Sequence, residues 1–288
     1  MYIVIGKEGQ LAQELGALLG EQAVCLGRQE IDLGSMESIE ATLAQIPVTA
    51  IINASAYTAV DRAETEAELA HLINCTAVGN LATYANKHGV HLVHVSTDYV
   101  FSGQNGRPYL PTDELSPLGV YGATKAAGER KLTEVLPERS CILRTSWVYS
   151  KFGNNFVKTM LRLMQEREYL SVVDDQIGSP TEASGLAKAC IEAAQKKIVG
   201  VYHYTDEGVA SWYDFANAIQ EIALEYGLLS RRIPISPIPT AAFPTPAKRP
   251  SYSVLDKQSL RAAFSELTGR HWREPLRELL GALADKPQ

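Results

Sequence analysis

The stretch Val93-His-Val-Ser-Thr-Asp-Tyr-Val-Phe101 decides the fold class of this chain. It begins as an apolar, β-branched run and turns polar at Ser96, Thr97 and Asp98. A buried parallel strand has this pattern where its carboxyl end opens into a cleft. Ligands of open α/β sheets bind beyond these carboxyl ends. The stretch therefore predicts a central parallel strand with a binding site directly after it.

The segment Tyr121-Gly-Ala-Thr-Lys125 places a phenol and an ammonium four residues apart. On a helix these two side chains share one face. A nearby ammonium stabilises the phenolate, so we expect Lys125 to lower the pKa of Tyr121. Such a tyrosine can give a proton to a carbonyl oxygen while a hydride reaches the carbon. Alone, the pair is a weak motif that also occurs on exposed helix faces. After a strand that ends in Ser-Thr-Asp, it predicts carbonyl reduction.

The beginning of the chain predicts a dinucleotide-binding turn. A strand at residues 2–5 runs into Gly6-Lys-Glu-Gly9-Gln-Leu-Ala12, and a helix follows. This arrangement brings phosphates to the backbone N–H groups at a positive helix N-terminus. Gly9 permits close approach of a pyrophosphate, and Ala12 still allows close packing of helix on strand. A plain glycine turn is the alternative, but the position between strand and helix favours dinucleotide binding.

Strand and helix patterns alternate through the first half of the chain, which predicts a doubly wound parallel α/β sheet. Further strands are predicted at 23–27, 50–53, 91–97 and 141–147, and helices at 63–70, 75–88 and 120–135. After residue 150 we predict helices at 154–167, 184–194, 211–226 and 272–284, and short strands at 170–173 and 202–204. The prolines of residues 231–250 exclude a regular helix there. We therefore predict a dinucleotide-binding Rossmann-like domain at residues 1–150. Residues 151–288 are predicted to form mainly a smaller, interleaved substrate-binding lobe, with some segments returning to the Rossmann domain.

Composition excludes several classes of protein. The chain has 288 residues, of which 45% are hydrophobic and 21% charged, as is ordinary for a soluble globular protein. Its net charge of -6, without a basic block, argues against nucleic-acid partners. The four cysteines are scattered, which favours reduced thiols over disulfides or a zinc site. Apolar strand residues begin at Tyr2 and no run reaches membrane-spanning length, so we expect a cytoplasmic protein without a signal peptide.

The sequence resembles the dTDP-4-dehydrorhamnose reductases, a branch of the extended short-chain dehydrogenase/reductase superfamily. The resemblance runs nearly end to end and rests on segments 6–12, 53–61, 96–101, 121–125, 144–147, 155–156, 175–181, 211–213 and 249–253. The tyrosine–lysine pair marks only the superfamily. The segments Ser96-Thr-Asp-Tyr-Val-Phe101 and Asp175-Gln-Ile-Gly-Ser-Pro-Thr181 are far more specific to this branch.

This resemblance implies an NAD(P)H-dependent reduction of the 4-keto group of dTDP-4-dehydro-L-rhamnose, the last step of dTDP-L-rhamnose biosynthesis. Tyr121 would protonate the keto oxygen, Thr97 would hydrogen-bond it, and Lys125 would hold the nicotinamide ribose and tune Tyr121. A hydroxyl and a phenol that converge on one oxygen stabilise its developing negative charge. Asp98 and Trp147 would face the sugar, although core packing is the alternative for Trp147.

The resemblance also implies contacts to the cofactor. Beside Tyr121 and Lys125, the residues expected to bind it are Gly6, Gly9, Gln10, Leu11, Arg28, Asp32, Leu33, Ala56, Tyr57 and Thr58. Gly9, Gln10 and Leu11 would hold the pyrophosphate. Asp32 and Leu33 would lie at the adenine end, and residues 56–58 on the ribose side.

The second strand predicts a preference for NADPH, with NADH also possible. No acidic residue stands at its tip to bind a ribose 2′-OH, and Arg28 matches the geometry of a 2′-phosphate. Glu30 is close enough in sequence to bend towards the ribose. The alternative for Arg28 is stacking on the adenine or exposure to solvent. Lys248 and Arg249 are likewise either a solvated pair or a clamp on diphosphate oxygens, and we favour the clamp.

The sequence departs from the family at a metal-linked dimer contact. Some members are Mg²⁺-linked dimers, bridged by glutamates on the first helix and after Pro-Thr. Glu14 fits the first position, but Ser184 stands at the second, and Glu182 would face elsewhere on a helix. We therefore expect no metal site, and a monomer or weak homodimer. The histidines at 71, 88, 91, 94 and 203 lack metal-site spacing and are expected to be structural or surface residues.

Two other functions remain open from the sequence. One is a reductase or epimerase for another nucleotide sugar, because base and sugar selectivity lie in loop shapes. The other is a non-catalytic regulatory subunit, since one relative of this fold binds methionine adenosyltransferase. The joint presence of Thr97, Tyr121 and Lys125 argues against the second.

Overall fold

A computed structural model describes residues 1–285 of the chain. Its strands are β1 (Tyr2–Ile5), β2 (Ala23–Leu26), β3 (Ala50–Asn53), β4 (His91–Thr97), β5 (Ser140–Thr145), β6 (Val148–Tyr149), β7 (Leu170–Val173), β8 (Ile177–Gly178), β9 (Thr181–Glu182), β10 (Gly200–His203), β11 (Ala210–Ser211) and β12 (Ile235–Ile238). Its α-helices are α1 (Gln10–Leu19), α2 (Met36–Leu43), α3 (Val60–Ala63), α4 (Ala67–His71), α5 (Ala77–His88), α6 (Val120–Val135), α7 (Phe156–Glu166), α8 (Ala183–Lys196), α9 (Trp212–Glu225), α10 (Gln258–Ala263) and α11 (Arg273–Ala284).

Six strands form one parallel sheet in the order β10-β5-β4-β3-β1-β2. The strands at its centre read as continuous apolar runs because helices bury both of their faces. In the register of the sheet, Asn53 on β3 lies beside His94 on β4, and Thr97 lies beside Thr145 on β5. The predicted doubly wound α/β class is confirmed.

Helices cover the two faces of this sheet. On one face α1 and α8 pack together, and Leu15 and Leu186 contribute to the core between them and the strands. On the other face α2, α5 and α6 bury Ile39, Leu81 and Leu132. The sheet is therefore held rigidly from both sides, and its carboxyl edge is free to carry loops.

A second core lies outside the sheet. It is built by α7, α9 and α11 with β7, and its centre holds Val157, Phe215, Ile219 and Leu276. Strand β7 pairs in parallel with β12, which carries Pro237 opposite Val172. Proline is tolerated in such an edge strand because its missing N–H can face away from the partner. The proline-rich stretch is thus partly extended strand, without an α-helix, as its composition predicted.

Segments after residue 150 also contribute to the central sheet. Strand β10 pairs in parallel with β5, and α8 packs on α1. The last positions of the predicted lobe, 286–288, lie outside the described residues. Across residues 1–285, none of the helices has the length and apolar character needed to span a membrane.

The region between β3 and α5 differs from its prediction. The predicted helix at 63–70 is two short helices, α3 and α4, and the helix predicted from residue 75 begins with a π-helix, Leu72–Thr76. Asn74 in this π-helix accepts from the backbone N–H of Tyr57 at 2.9 Å and donates to the Tyr57 carbonyl at 3.2 Å. The π-helix thereby positions the buried amide of Asn74 so that it binds the backbone of the loop after β3.

Candidate active site

The carboxyl ends of β1, β3, β4 and β5 meet at one edge of the sheet. Gly6 follows β1, the loop at residues 54–58 follows β3, Thr97 ends β4, and Trp147 comes shortly after β5. Helix α6, which carries Tyr121 and Lys125, packs against β4 at the same edge. Several predicted site residues from separate parts of the sequence therefore lie at one edge of the sheet.

The glycine turn fits an anionic ligand. Gly6 has a φ of 102°, and a Cβ atom there would lie 2.9 Å from the backbone nitrogen of Ser55, so only glycine is accommodated. Helix α1 starts after Gly9 without a side-chain cap. The N–H groups of Gln10 and Leu11 are thus at an uncapped, positive helix end, where a pyrophosphate is stabilised.

The loop after β3 is pinned along this edge. The buried Tyr57 is bound through its backbone by Asn74, and its hydroxyl donates to Glu66 at 2.6 Å. Its neighbours Ala56 and Thr58 are half-buried and exposed, respectively. The phenol of Tyr57 is therefore engaged by the protein, and the loop backbone lines the predicted ribose side.

An acidic group lies at the tip of β2. Glu30 accepts a hydrogen bond from the Gly27 backbone at 2.9 Å and forms an ion pair with Lys7. The hydrogen bond from Lys7 is the main cause that holds the pKa of Glu30 below its ordinary value, and the hydrogen bond from Gly27 acts in the same direction. Arg28 is exposed nearby. No acid stands at the tip in the sequence itself, but the turn brings Glu30 back to the strand end, as the sequence left open.

The predicted adenine side lies in the turn beyond that tip. Asp32 is exposed and accepts from the backbone N–H of Gly34 at 2.9 Å. Leu33 is half-buried, and its carbonyl accepts from Asn80 at 2.9 Å. Both residues are thus held in a defined turn next to Arg28 and Glu30.

The side chain of Lys125, on α6, is held against β4. Its Nζ donates to the carbonyl of Val95 at 2.7 Å and lies 3.2 Å from Nε2 of His94. Burial lowers the pKa of Lys125 to about 8, and the negative charge of Glu129 opposes this shift. Lys125 therefore exchanges its proton much closer to neutral pH than an exposed lysine does.

Tyr121 is protonated at neutral pH. Burial raises its pKa to about 12, while a hydrogen bond with Thr97 acts in the opposite direction. The edge of its ring meets Tyr99, with centroids 5.6 Å apart. We expected Lys125 to lower the pKa of Tyr121, and this expectation is wrong for the structure. Desolvation of the phenolate dominates, and Nζ of Lys125 is directed to Val95 and His94.

Thr97 links Tyr121 to a buried acid. Its hydroxyl donates to Asp98 at 3.0 Å and accepts from the backbone N–H of Tyr99 at 3.2 Å. Burial raises the pKa of Asp98 to about 6. The end of β4 thus holds a phenol, a hydroxyl and a carboxyl in contact, which suits proton transfer to a substrate oxygen.

Trp147 forms a flat aromatic wall with Trp212. The sequence analysis named Trp147 as a site residue but not Trp212. The two rings stack with centroids 3.6 Å apart and planes 9° apart. Trp147 has a φ of 49°, in the left-handed region that few residues other than glycine adopt. Trp212 occurs in the segment 211–213 that resembles the family, and this was its only sequence signal.

The segment 175–181 braces this wall. A Cβ atom on Gly178 would lie 2.8 Å from the Trp147 ring, so glycine is needed for the ring to lie against β8. Gln176 accepts a hydrogen bond from the Trp212 indole at 3.2 Å and donates to Thr240 at 3.0 Å. The residues that distinguish the family branch therefore position the two tryptophans.

Arg249 is joined to the Rossmann-like part of the chain. Its Nη2 donates to Asp61 at 2.9 Å, and Asp61 also accepts from the backbone of Ala247 at 3.2 Å. Its other terminal nitrogen, Nη1, is buried without a hydrogen-bond partner within residues 1–285. A clamp on diphosphate oxygens therefore stays a prediction, with Nη1 as the donor that it would use.

The glutamates of the expected metal position are engaged by protein groups. Glu14 is buried and accepts from Ser150 at 2.7 Å. Glu182 precedes α8 and caps it, accepting from the backbone N–H groups of Ser184 at 2.9 Å and Gly185 at 3.1 Å. It is thus an N-cap, rather than a residue on another helix face as expected. In the described part of the chain, no cluster of three or more His, Cys, Asp or Glu side chains could hold a metal ion.

His94 contacts the predicted site residue Lys125, and sequence reasoning did not foresee this contact. It is fully buried on β4 and lies between Asn53 and Lys125. The available signal was a polar, titratable side chain in the middle of an apolar strand directly before the Ser-Thr-Asp segment. Spacing alone could not reveal its role, because both partners come from other elements.

The chain is similar to known proteins over almost its whole length. It matches the family model of the RmlD substrate binding domain over residues 1–284. A dTDP-4-dehydrorhamnose reductase of Aggregatibacter actinomycetemcomitans is 41% identical over 287 residues, covering 96% of this chain and 97% of the relative.

Solved structures agree with this assignment. A dTDP-4-dehydrorhamnose reductase from Clostridium acetobutylicum is 36% identical and has a TM-score of 0.92, covering 98% of this chain and 99% of its own. Another, from Bacillus anthracis in complex with NADP, is 36% identical with a TM-score of 0.91, covering 96% and 97%. The chain therefore belongs to the RmlD substrate binding domain family.

Proposed function

We propose that this chain is an NADPH-dependent reductase that converts dTDP-4-dehydro-L-rhamnose to dTDP-L-rhamnose. The observation that carries this function is the hydrogen bond between Thr97 at the end of β4 and Tyr121 on α6, the helix that also carries Lys125. The substrate follows from relatives named dTDP-4-dehydrorhamnose reductase that match the chain nearly end to end.

The residues of the Rossmann-like part would hold the cofactor. Its pyrophosphate would lie at Gly9, Gln10 and Leu11, next to Gly6, because the helix end there is positive and uncapped. The adenine end would lie at Arg28, Asp32 and Leu33, and the riboses along residues 56–58 and Lys125. Bound NADPH supplies a hydride to C4 of the sugar.

The protein's own contribution is the proton and its placement. Tyr121 keeps its proton at neutral pH, since burial raises its pKa to about 12, and it gives this proton to the 4-keto oxygen. Thr97 hydrogen-bonds the same oxygen and stabilises the negative charge that develops on it. The charged form of Lys125 would hold the nicotinamide ribose and stabilise the Tyr121 phenolate that remains after the proton has been transferred.

The substrate would lie between the two parts of the chain. We assign dinucleotide binding to residues 1–150 and mainly substrate binding to residues 151 onward. Asp98 and the stacked Trp147 face the sugar, and Arg249 binds the diphosphate through Nη1. The stack supports this because a flat aromatic wall next to the end of β4 suits the apolar face of a deoxysugar.

A substrate panel tests this function. NADPH oxidation is measured with dTDP-4-dehydro-L-rhamnose, with the UDP- and GDP-linked 4-keto sugars, and without sugar, and the product is identified by NMR. We expect stoichiometric oxidation and dTDP-L-rhamnose with the first substrate only. Preferred turnover of another nucleotide sugar, or interconversion of sugars without net oxidation, would replace this function by the other reductase or by an epimerase. Absence of NADPH oxidation with every sugar tested would favour a regulatory subunit.

We also propose a cytoplasmic monomer or weak homodimer. Cys25, Cys75, Cys141 and Cys190 are all free thiols, which supports a reducing compartment. Cell fractionation together with light scattering of the purified chain tests both statements. Recovery outside the cytoplasm, or a dimer that persists at nanomolar concentration, would contradict them.

A further inference from the structure

His94 joins two neighbouring strands to the lysine of the active site. It lies beside Asn53 in the register of β3 and β4, with its Nδ1 3.1 Å from the Asn53 amide nitrogen. Its Nε2 lies 3.2 Å from Nζ of Lys125. Asn53 and His94 are fully buried and Lys125 is 1% exposed, so these three side chains are shielded from bulk water.

The orientation of the Asn53 amide is set by its other contacts. Its Oδ1 lies 3.1 Å from the backbone nitrogen of Ser55 and 2.7 Å from the Ser55 hydroxyl. A backbone N–H can only donate, so the atom facing it must be the amide oxygen. The amide NH₂ therefore faces His94 and donates to Nδ1. A neutral imidazole carries one proton, so that of His94 is on Nε2.

This tautomer has a consequence for Lys125. An Nε2–H can donate to the lone pair of an uncharged amine, but it cannot pair with an ammonium, which has only donors. The Val95 carbonyl accepts from Nζ at 2.7 Å in either protonation state. The contact with His94 therefore distinguishes the two forms of Lys125, whereas that with Val95 does not.

We propose that His94, oriented by Asn53, is a positioning residue that holds Nζ of Lys125 at the end of β4 and favours its uncharged form. Burial acts in the same direction, lowering the pKa of Lys125 to about 8 and keeping that of His94 well below its ordinary value. The kinetic consequence rests on the proposed reductase function. If catalysis needs the Lys125 ammonium, kcat/KM falls as pH rises through the pKa of Lys125.

Other ionisable groups surround this arrangement. Glu129 on α6 raises the pKa of Lys125, and it is held by Arg144 on β5 at 2.7 Å. Asp98 after β4 acts on Tyr121. On the side of α3 and α4, the phenol of Tyr57 is bound to Glu66. Among these, His94 alone touches Nζ, so a change at His94 acts on Lys125 directly.

The variant His94→Gln tests the kinetic consequence. Its amide oxygen, near the position of Nε2, can accept from an ammonium and would stabilise the charged form of Lys125. A new hydrogen bond to the ammonium would raise the pKa of Lys125 by about one unit or more. We therefore expect the alkaline limb of the kcat/KM profile to shift to higher pH by about one unit. The control is His91→Gln, equally buried at the other end of β4, which should keep the wild-type limb. An unchanged limb in folded His94→Gln would overturn the proposal.

A measurement on the unmodified chain does not depend on turnover. In ¹⁵N-histidine-labelled protein, long-range ¹H–¹⁵N spectra give the tautomer of each ring, and the signal absent from His94→Gln identifies His94. We expect the Nε2–H tautomer, with a small shift near pH 8 as Lys125 titrates and no titration of the ring at pH 6. An Nδ1–H tautomer or a charged ring at pH 6 would refute the proposal, whichever substrate the enzyme accepts.

Discussion

The carboxylate of Glu30 accepts a hydrogen bond from the backbone N–H of Gly27, 2.9 Å away, and so lies at the tip of β2. Lys7, from the glycine turn, pairs with the same carboxylate. The place where a Rossmann-like sheet distinguishes a ribose 2′-OH from a 2′-phosphate thus holds an acid, a lysine and the exposed Arg28. We therefore expect the preference for NADPH over NADH to depend on the balance of these three charges.

This balance can be shifted in both directions. Arg28→Ala removes a charged donor for the 2′-phosphate, and a hydrogen bond to a charged group is worth roughly 1.5–3 kcal/mol. We expect the ratio of kcat/KM for NADPH to that for NADH to fall by about tenfold or more, with NADH use spared. Glu30→Gln removes the acid that repels the phosphate and should raise the ratio. Equal losses with both cofactors in Arg28→Ala would show that Arg28 only stacks on the adenine or lies in solvent.

Tyr121→Phe removes the phenolic proton and leaves the ring that packs on Tyr99. General acid catalysis contributes typically 10²–10⁴-fold, so kcat should fall by about this factor while the thermal midpoint changes little. Tyr84→Phe, at a buried tyrosine of α5 away from the sheet edge, is the matched control and should retain activity. Near-normal turnover of Tyr121→Phe would exclude Tyr121 as the acid.

Gly178→Ala tests the aromatic wall. The added methyl would lie 2.8 Å from the Trp147 ring, which must shift and lose its stacking on Trp212. Aromatic contacts of this kind are worth about 0.5–1.5 kcal/mol, so KM for the nucleotide sugar should rise roughly two- to tenfold with less change for NADPH. Gly106→Ala, where the methyl meets no atom within 4 Å, should leave both KM values unchanged. An unaltered sugar KM in Gly178→Ala would remove Trp147 from the substrate site.

Chelation tests whether a metal takes part in assembly. Glu14 is engaged by Ser150, and Glu182 caps α8, so neither carboxylate is available as a simple ligand for a hard cation. We expect EDTA to leave both activity and hydrodynamic radius unchanged. Dissociation of a dimer on chelation, reversed by Mg²⁺, would show that these carboxylates rearrange to bind metal.

The sequence by itself determined the sheet and the edge that carries the candidate site. Strands such as β3, β4 and β7 could be predicted because a buried parallel strand is a short apolar run. Helix α6 could be predicted because helical periodicity is visible within a short window of sequence. The placement of Thr97 and Asp98 followed from the same rule, since polar residues directly after a buried strand must lie at its carboxyl end.

Only the tertiary structure decided which side chains meet. Arg249 binds Asp61 across 188 residues of sequence, and His94 meets Lys125 because strand register and helix packing bring them together. The pKa of Tyr121 was misjudged because spacing shows a neighbouring charge, whereas burial depends on everything that surrounds the phenol. Local patterns are set by neighbours in the chain, but contacts and desolvation are set by the packing of elements that are distant in sequence.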